Sequence, residues 1–499
     1  MNSTSVLKRK LRQSVKKAKH FKEKSKVLAL ENKRLRRNAK ERSERCVPLR
    51  RENERLQAEN EELRSKLAIY EGKASGHHYS TKLVGLCIFL RVFASVSLRS
   101  IPKILSLFNS CFELGLRKIP CANTVQNWTA KLGYFELSKP LDASSSYTLI
   151  VDEHAGLCNQ KLLLALAVDS QKAGRGPLNF SDVCVSYLDF SKSWTAERIA
   201  EKFQKTFFDK SIKIEYMLSD EGSNLKKAAQ LLALPHFADI SHAVGTCLKK
   251  VYEKDPDYQN FIQLVRSYQS KGVNQDLSYL MPPKQRAKAR FMNQKPVVEW
   301  AKKTLENYEQ LKEKEQKFFG KLKAHKPIIE SLDKATNIGK NISLKLKNQG
   351  FNKQNYLVLK QDIQKQNTED NRLKKFLKHL EQYLDDYKGN LEKLQENIQN
   401  QKKEENIQNI TQKSYHVCSD IIESIFGKYK NMETDNPWLT VSAMCLELPI
   451  HTLSQDQIMD KINQALEQVL LSNIDTWKQQ YKADNQMVKR NKFYQNNKS

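Results

Sequence analysis

The sequence predicts an α/β domain built on a mixed sheet and set among extensive all-α parts: an N-terminal coiled coil, a helix-turn-helix and a helical insertion. Three observations carry this. Apolar runs of strand length alternate with helical segments from residue 144 to 254; residues 5–72 hold charge at helical density with a seven-residue apolar repeat; and residues 255–413 show helical apolar spacing with almost no strand character. The chain divides accordingly into 1–72 (basic helix and coiled coil), 79–140 (helix-turn-helix), 144–254 (first part of the mixed-sheet domain), 255–413 (helical insertion), 414–435 (last part of the mixed-sheet domain) and 436–499 (helical tail).

Residues 5–72 read as two helical stretches parted near Pro48. In the second, Leu49, Leu56, Leu63 and Tyr70 recur every seventh residue, with Asn53, Asn60 and Leu67 four later, the d and a positions of a heptad seam. Leu28, Asn32 and Leu35 keep the same phase upstream, while Arg42 interrupts it. Asn at an a position favours a two-stranded parallel pair, so a homodimer or higher oligomer is expected. The other reading is one solvated, charged helix that packs on its own chain. Ahead of the seam, the basic stretch from Lys8 to Lys26 could track a phosphate backbone.

After a polar break at Gly72 to Tyr79, apolar spacing predicts helices over 80–94, 98–111 and 121–132. In the third, Val125, Trp128 and Leu132 share one face, leaving Asn123, Gln126, Asn127 and Lys131 for solvent or DNA. This suits a recognition helix, whose amide side chains can pair with adenine edges. A plain three-helix packing unit has the same pattern.

Three apolar runs follow, Tyr147 to Val151, Leu162 to Val168 and Val183 to Leu188, spaced as a meander. A helix from Thr195 to Phe208 leads to a fourth strand, Ile212 to Leu218. Then come a helix, Ser223 to Leu232, a short strand, Phe237 to Ile240, and a helix, Ala243 to Tyr252. Three strands, helix, strand, helix, strand, helix is the order of the ribonuclease H-like fold, in which the first and fourth strands are neighbours. The insertion at 255–413 is helical, as Leu373, Phe376, Leu380 and Leu384 illustrate, with loose coil where Asn and Gln crowd. Ile450 to Lys482 reads as one or two amphipathic helices, and the Asn- and Lys-rich last residues as disordered.

A formal charge of +29 from 85 Lys and Arg against 56 Asp and Glu implies a polyanionic partner, because basic groups that neutralise phosphates release condensed counterions. An anionic membrane surface would attract the same charge. No run approaches the ~18 apolar residues of a membrane span; Leu83 to Leu98, the most apolar, is broken by Arg91 and reads as a buried helix. The basic start does not pass into a hydrophobic signal core. Nine scattered cysteines with no CxxC and no zinc spacing read as reduced thiols of an intracellular protein. The expected compartment is the cytoplasm, on the nucleoid, in a bacterium, or the nucleus in a eukaryote.

Three carboxylates bear the chemistry. Asp152 closes Tyr147-Thr-Leu-Ile-Val-Asp152, Asp220 closes Ile214-Glu-Tyr-Met-Leu-Ser-Asp220, and Glu423 lies in Ser419-Asp-Ile-Ile-Glu423-Ser-Ile-Phe-Gly-Lys-Tyr-Lys430. Their neighbours Glu153 and Glu221 should face the opposite side of the sheet, since side chains alternate along a strand. Asp420, one turn before Glu423, is its rival.

On these motifs the chain resembles the DDE transposases of insertion sequences and related mobile elements, over residues 144–253 and 414–435. The resemblance implies that Asp152, Asp220 and Glu423 are the catalytic, metal-holding carboxylates, with Mg²⁺ as cofactor and Mn²⁺ as substitute. It also implies that Lys430 lies near terminal DNA, and that Asp239-Ile-Ser-His242 matches a Cys or Asp followed three residues later by His near the site. His242 would contact a phosphate or the scissile end; capping the following helix is its other reading. Ser419 and His416 stand where some relatives have Arg and Tyr. An all-helical insertion is similar to the hAT-type arrangement, where a Trp can stand beside the active site. Trp300 is the one tryptophan of this insertion.

The partner so implied is double-stranded DNA, both element ends and target, with metal-dependent cleavage followed by strand transfer. A DNA-binding regulator with an inactive nuclease-like domain and a structure-specific nuclease without strand transfer are the competing readings.

Overall fold

The structure is a computed structural model describing residues 3–68, 72–112, 116, 118–155, 160–172, 174, 176–272, 277–284, 291, 294–401, 413–432, 441, 443–481 and 486–496. It divides into two compact units, residues 1–73 with 77–82, and residues 74–76 with 83–499.

The first unit is dominated by one helix, α1, Ser3–Ala68, which passes through Pro48 without a break. The expected division into two stretches is thereby corrected. Proline in a helix interior costs ~3 kcal/mol through a lost N–H and a ring clash. Against this stand long flanks of good helix formers and the ion pairs Arg37–Glu41, Lys40–Glu44 and Arg55–Glu52 within the helix. Side chains from Lys8 to Glu44 and from Cys46 to Asn60 are all exposed. Tyr70 and the side chains of Leu63 and Leu67 lie outside the described residues.

The second unit opens with most of α2 (Thr81–Val92), followed by α3 (Ser100–Phe112) and α4 (Ala122–Ser138). Arg91, the charge inside the apolar run, is paired in the interior: its Nε donates to both Glu447 carboxylate oxygens at 3.0 and 2.9 Å. Helix α4 continues past its expected end at Leu132-Gly133. Gly133 is there for close approach, since a Cβ would lie 1.6 Å from the Leu446 carbonyl oxygen. The partner is a 3-10 segment, Ala443–Thr452, that runs along α4.

The sheet has the order β3-β2-β1-β4-β5, from β1 (Ser146–Ala155), β2 (Lys161–Asp169), β3 (Val183–Ser191), β4 (Lys213–Ser219) and β5 (His236–Ala238). β1 pairs antiparallel with β2 and parallel with β4; β2 pairs antiparallel with β3, and β4 parallel with β5. Alternation along the strands separates two cores. Leu149, Val151, Leu163 and Met217 pack with α5 (Ala196–Thr206) and α6 (Ser223–Leu231). Ile150, Leu164, Tyr216 and Leu218 face α7 (Ile240–Tyr252) and the insertion.

The insertion is helical throughout its described residues apart from short connections and one bridge, Phe351 to Tyr415: α8 (Pro256–Gly272), α9 (Gln294–Glu306), α10 (Glu313–Phe319), α11 (Lys326–Gln349), α12 (Lys353–Gln364) and α13 (Asn371–Gln401). Leu373, Phe376, Leu380 and Leu384 are buried together, as their spacing requires. Helix α13 closes the open edge of the sheet: Tyr387 donates its hydroxyl to the Ala238 carbonyl at 2.6 Å, and Asn390 Nδ2 to that of His236 at 2.8 Å. Trp300 belongs to an aromatic cluster inside the insertion with Tyr268 and Phe319, its indole N–H bonded to the Leu280 carbonyl at 2.8 Å.

After the insertion come α14 (Asp420–Met432), the 3-10 segment, α15 (Gln455–Gln468), α16 (Leu471–Gln480) and α17 (Gln486–Asn496). The last of these corrects the expectation of disorder over its span. Helix α15 packs on α4 and buries Ile458, Ile462 and Leu466, so the C-terminal segment completes the core around α4. No described helix is long and apolar enough to cross a membrane.

Candidate functional site

The parallel ladder between β1 and β4 ends at Val151 opposite Ser219. Asp152 and Asp220 are the next residues, side by side at the carboxyl ends of neighbouring strands. Strand β1 itself runs on to Ala155, held there by β2 alone. By alternation both aspartates share the face of Ile150 and Leu218. One oxygen of each is fixed by backbone: Asp152 Oδ1 accepts from the Glu153 N–H at 2.7 Å, and Asp220 Oδ1 from the Gly222 N–H at 2.9 Å. Among the described residues the second oxygen of each accepts no protein hydrogen bond.

Glu423 approaches from α14. That helix buries Ile421, Ile422, Ile425 and Phe426, and the Phe426 ring lies 5.1 Å from the His154 ring of β1. With this face packed inward, Glu423 keeps about half of its side chain exposed and lies near enough for its charge to act on Asp152. Its carboxyl is raised by burial and lowered by the nearby His242 charge. Asp152 is pushed up to about 7, first by burial and then by the charge of Asp220, with Glu423 adding to it; the Glu153 N–H and His242 oppose the rise. Sequence spacing alone could not have shown how strongly these groups interact.

His242 faces the trio from the first turn of α7. Its Nε2 stands 3.9 Å from Glu423 Oε1, and its Nδ1 is 3.1 Å from Asp239 Oδ1. The Asp239 hydrogen bond and charge raise its pKa to about 9, against burial, so the ring is a cation at neutral pH. Helix capping falls to Asp239, whose Oδ1 accepts the His242 backbone N–H at 2.8 Å. The other oxygen of Asp239 accepts the backbone N–H and hydroxyl of Ser419 at 2.5 and 2.9 Å. Burial works against the Asp239 charge, yet these donors and the His242 cation hold its carboxyl below the ordinary range.

Further bonds tie the extended segment ahead of α14 into place. The Ile240 N–H donates to the Val417 carbonyl at 3.0 Å, and the Tyr216 hydroxyl bonds both the N–H and the carbonyl of His416. His416, buried, is driven down to about 4 and stays neutral. This tether was missed in the sequence. The only cue was Ser419 placed four residues ahead of Glu423.

The competing carboxylates are engaged elsewhere. Glu153 turns to the opposite face, accepting from Asn224 and pairing with Lys161 at 3.4 Å. Glu221 takes the Tyr383 hydroxyl, and Asp420 pairs with Lys347. Asp239, Cys418 and Asp420 are the one described trio whose ligand atoms all lie within 4.8 Å of one another. Its lone pairs are already committed: Asp239 to four donors and Asp420 to Lys347, while burial raises the Cys418 thiol and keeps it protonated. Asp152, Asp220 and Glu423 do not reach that spacing. Three carboxylates serving two cations ~3.5–4 Å apart have no need to, and their uncommitted oxygens are hard donors of the kind Mg²⁺ prefers.

Of the residues assigned to DNA, Asn123 and Asn127 are exposed on α4 and Gln126 is half-buried. Lys131 is not free: its ammonium donates to the Leu466 carbonyl of α15 at 2.8 Å, and burial lowers its pKa. The spacing that put it on the polar face gave no sign that another helix covers that end. Lys430 is exposed, and its charge acts on Glu423 from the same side of α14.

No protein-family model matches this chain, and no curated protein matches it.

Proposed function

We propose that this chain is a DDE-type transposase with a ribonuclease H-like catalytic domain, binding the ends of a mobile element and carrying out DNA cleavage and strand transfer. The observation that carries the reading is the placement of Asp152 and Asp220 just beyond the last rung of a parallel β1–β4 ladder, with Glu423 facing them. The strand order, two antiparallel pairings followed by two parallel ones, supports the fold assignment. Asp152, Asp220 and Glu423 would hold Mg²⁺, or Mn²⁺ in its place, which when bound stabilises charge on the attacking and leaving oxygens of an in-line phosphoryl transfer.

The protein side chains position rather than react. In the first step water attacks a phosphodiester at the element end and the P–O3′ bond breaks, leaving a 3′-hydroxyl. In the second, that hydroxyl attacks a target phosphodiester and displaces its 3′-oxygen. The His242 cation is placed to hold a phosphate oxygen, and Lys430 to neutralise flanking backbone. Asn123, Gln126 and Asn127 are the candidates on α4 for contact with duplex DNA.

The test uses purified full-length protein, Mg²⁺ or Mn²⁺, a labelled fragment carrying the inverted repeats that flank the coding sequence, and a target plasmid. Joined products that vanish with Asp152→Ala are expected. Cleavage without joining would assign a nuclease instead, and binding without any metal-dependent product would assign a regulator.

A further inference from the structure

Nothing in the carboxylate site accounts for α1. It is a helix of 66 residues, on the order of 100 Å at 1.5 Å per residue, with a seam of exposed leucines. Leu28, Leu35, Leu49 and Leu56 are 53%, 59%, 70% and 44% exposed and fall at intervals of seven or fourteen residues. Four residues after each of the first three come Asn32, Ala39 and Asn53, and Cys46 fills the intervening position of the same series. A solvated helix has no reason to keep four leucines in heptad phase across 28 residues.

We propose that α1 pairs with α1 of a second copy of this chain, parallel and in register, along this seam. The seam is complementary to itself. Asparagine in the seam is satisfied only by a polar partner at the same level, and in-register pairing sets Asn32 against Asn32 and Asn53 against Asn53. Asn60 likewise meets Asn60, whereas a slip of one heptad keeps a single such pair, Asn53 with Asn60, and sets Asn32 against Ala39 and the other Asn53 against Cys46. In a parallel pair the residue before an a position faces the residue five places later on the other chain, which brings Glu31 to Arg36 on both sides and, in the middle of the seam, Arg45 to Arg50. Arg42 falls in the seam and meets its own copy, so the pair consists of two apolar blocks separated by a weaker stretch.

Two consequences follow from the geometry. The exposed Cys46 thiols of the two copies lie opposite each other in the seam. The basic stretches from Lys8 to Lys26, which hold ten Lys and Arg against Glu23 alone among acidic residues, emerge from the same end as a cationic fork. The proposal is independent of the chemistry assigned to the carboxylates.

The experiment is sedimentation of the reduced full chain at micromolar concentration in high salt, followed by mild copper-catalysed oxidation and a non-reducing gel. A dimer is expected, with a cross-linked band at twice the 57.9 kDa chain mass that disappears with Cys46→Ser. A Cys46→Ser chain that also carries Asn32→Cys should restore the band. An antiparallel pair centred on Cys46 would hold Asn32 far from its copy and would not. Leu49→Lys with Leu56→Lys should yield a monomer. All five tryptophans lie outside α1, so unchanged tryptophan fluorescence separates dissociation from misfolding. A monomeric wild-type chain, a dimer indifferent to the leucine changes, or no band from the Asn32→Cys chain would overturn the proposal.

Discussion

Asp239 and Ser419 are joined twice, the serine N–H and hydroxyl both donating to one carboxylate oxygen at 2.5 and 2.9 Å. The other oxygen orients His242. One buried carboxylate therefore positions two things at once, the cation that faces Glu423 and the residue from which α14 departs. Replacing Asp239 with Ala should lower the His242 pKa from about 9 toward the ordinary imidazole range. Metal-dependent DNA cleavage should fall ~10–100-fold with it, the usual scale for removing a supporting partner. Histidine titration followed by NMR is the check. An unmoved His242 titration would show that Asp239 does not govern this ring.

The proton on Asp152 makes a second prediction with a definite sign. Its pKa is raised to about 7 in the folded, metal-free protein, whereas the unfolded chain releases this proton near 4. The contribution to stability is complete below the unfolded value and is lost as pH rises through the folded one. Asp152→Asn should therefore stabilise the metal-free protein at pH 8, on the order of 2–4 kcal/mol, with the gain shrinking below pH 7 and gone near pH 4. Calorimetric melting across that range measures it. Mn²⁺ should raise the wild-type melting temperature more at pH 8 than at pH 6, and should do little for the Asn variant.

Glu423 and Asp420 can be told apart by their partners. Glu423→Gln should cut Mn²⁺ affinity and DNA cleavage by ~100-fold or more. Asp420→Asn should leave both within a few-fold of wild type, and the half-exposed Lys347 pair it breaks is worth at most ~1 kcal/mol. Calorimetric titration of Mn²⁺ decides between them. The reverse pattern would move the third ligand to Asp420.

On the DNA side, Lys430→Ala should reduce the slope of log affinity against log salt by about 1, the signature of one lost phosphate contact. Lys131→Met should leave that slope alone. It should instead destabilise the fold by ~1–3 kcal/mol, because the Leu466 carbonyl loses its donor. Salt-dependent binding to duplex DNA alongside thermal melting separates the two. A reduced slope for Lys131→Met would return that lysine to the DNA face.

The strand order was legible because each strand is a compact apolar run between turn residues, and the meander followed by alternation leaves few arrangements. The side-by-side aspartates follow from that order, as does the outward turn of Glu153. Contacts across long separations left no such trace. Tyr216 with His416, Asp239 with Ser419 and Lys131 with Leu466 depend on how the insertion and the C-terminal helices fold back, and no local periodicity encodes that. Pro48 and Gly133 misled for a shared reason. Each is a local helix breaker, overruled in one case by long helical flanks and in the other by the backbone of Leu446.

The placement of α13 has a consequence for how the protein is made. Tyr387 and Asn390 seal the β5 edge from a helix that ends at Gln401, whereas α14 begins at Asp420. The ribosome thus delivers both aspartates and the edge seal before the glutamate. A chain released after α13 would carry all five strands and only two of the three carboxylates. Completion of the trio therefore follows synthesis of all five strands, and a stop between Gln401 and Glu423 would give a chain with the edge-sealing helix and without the third carboxylate.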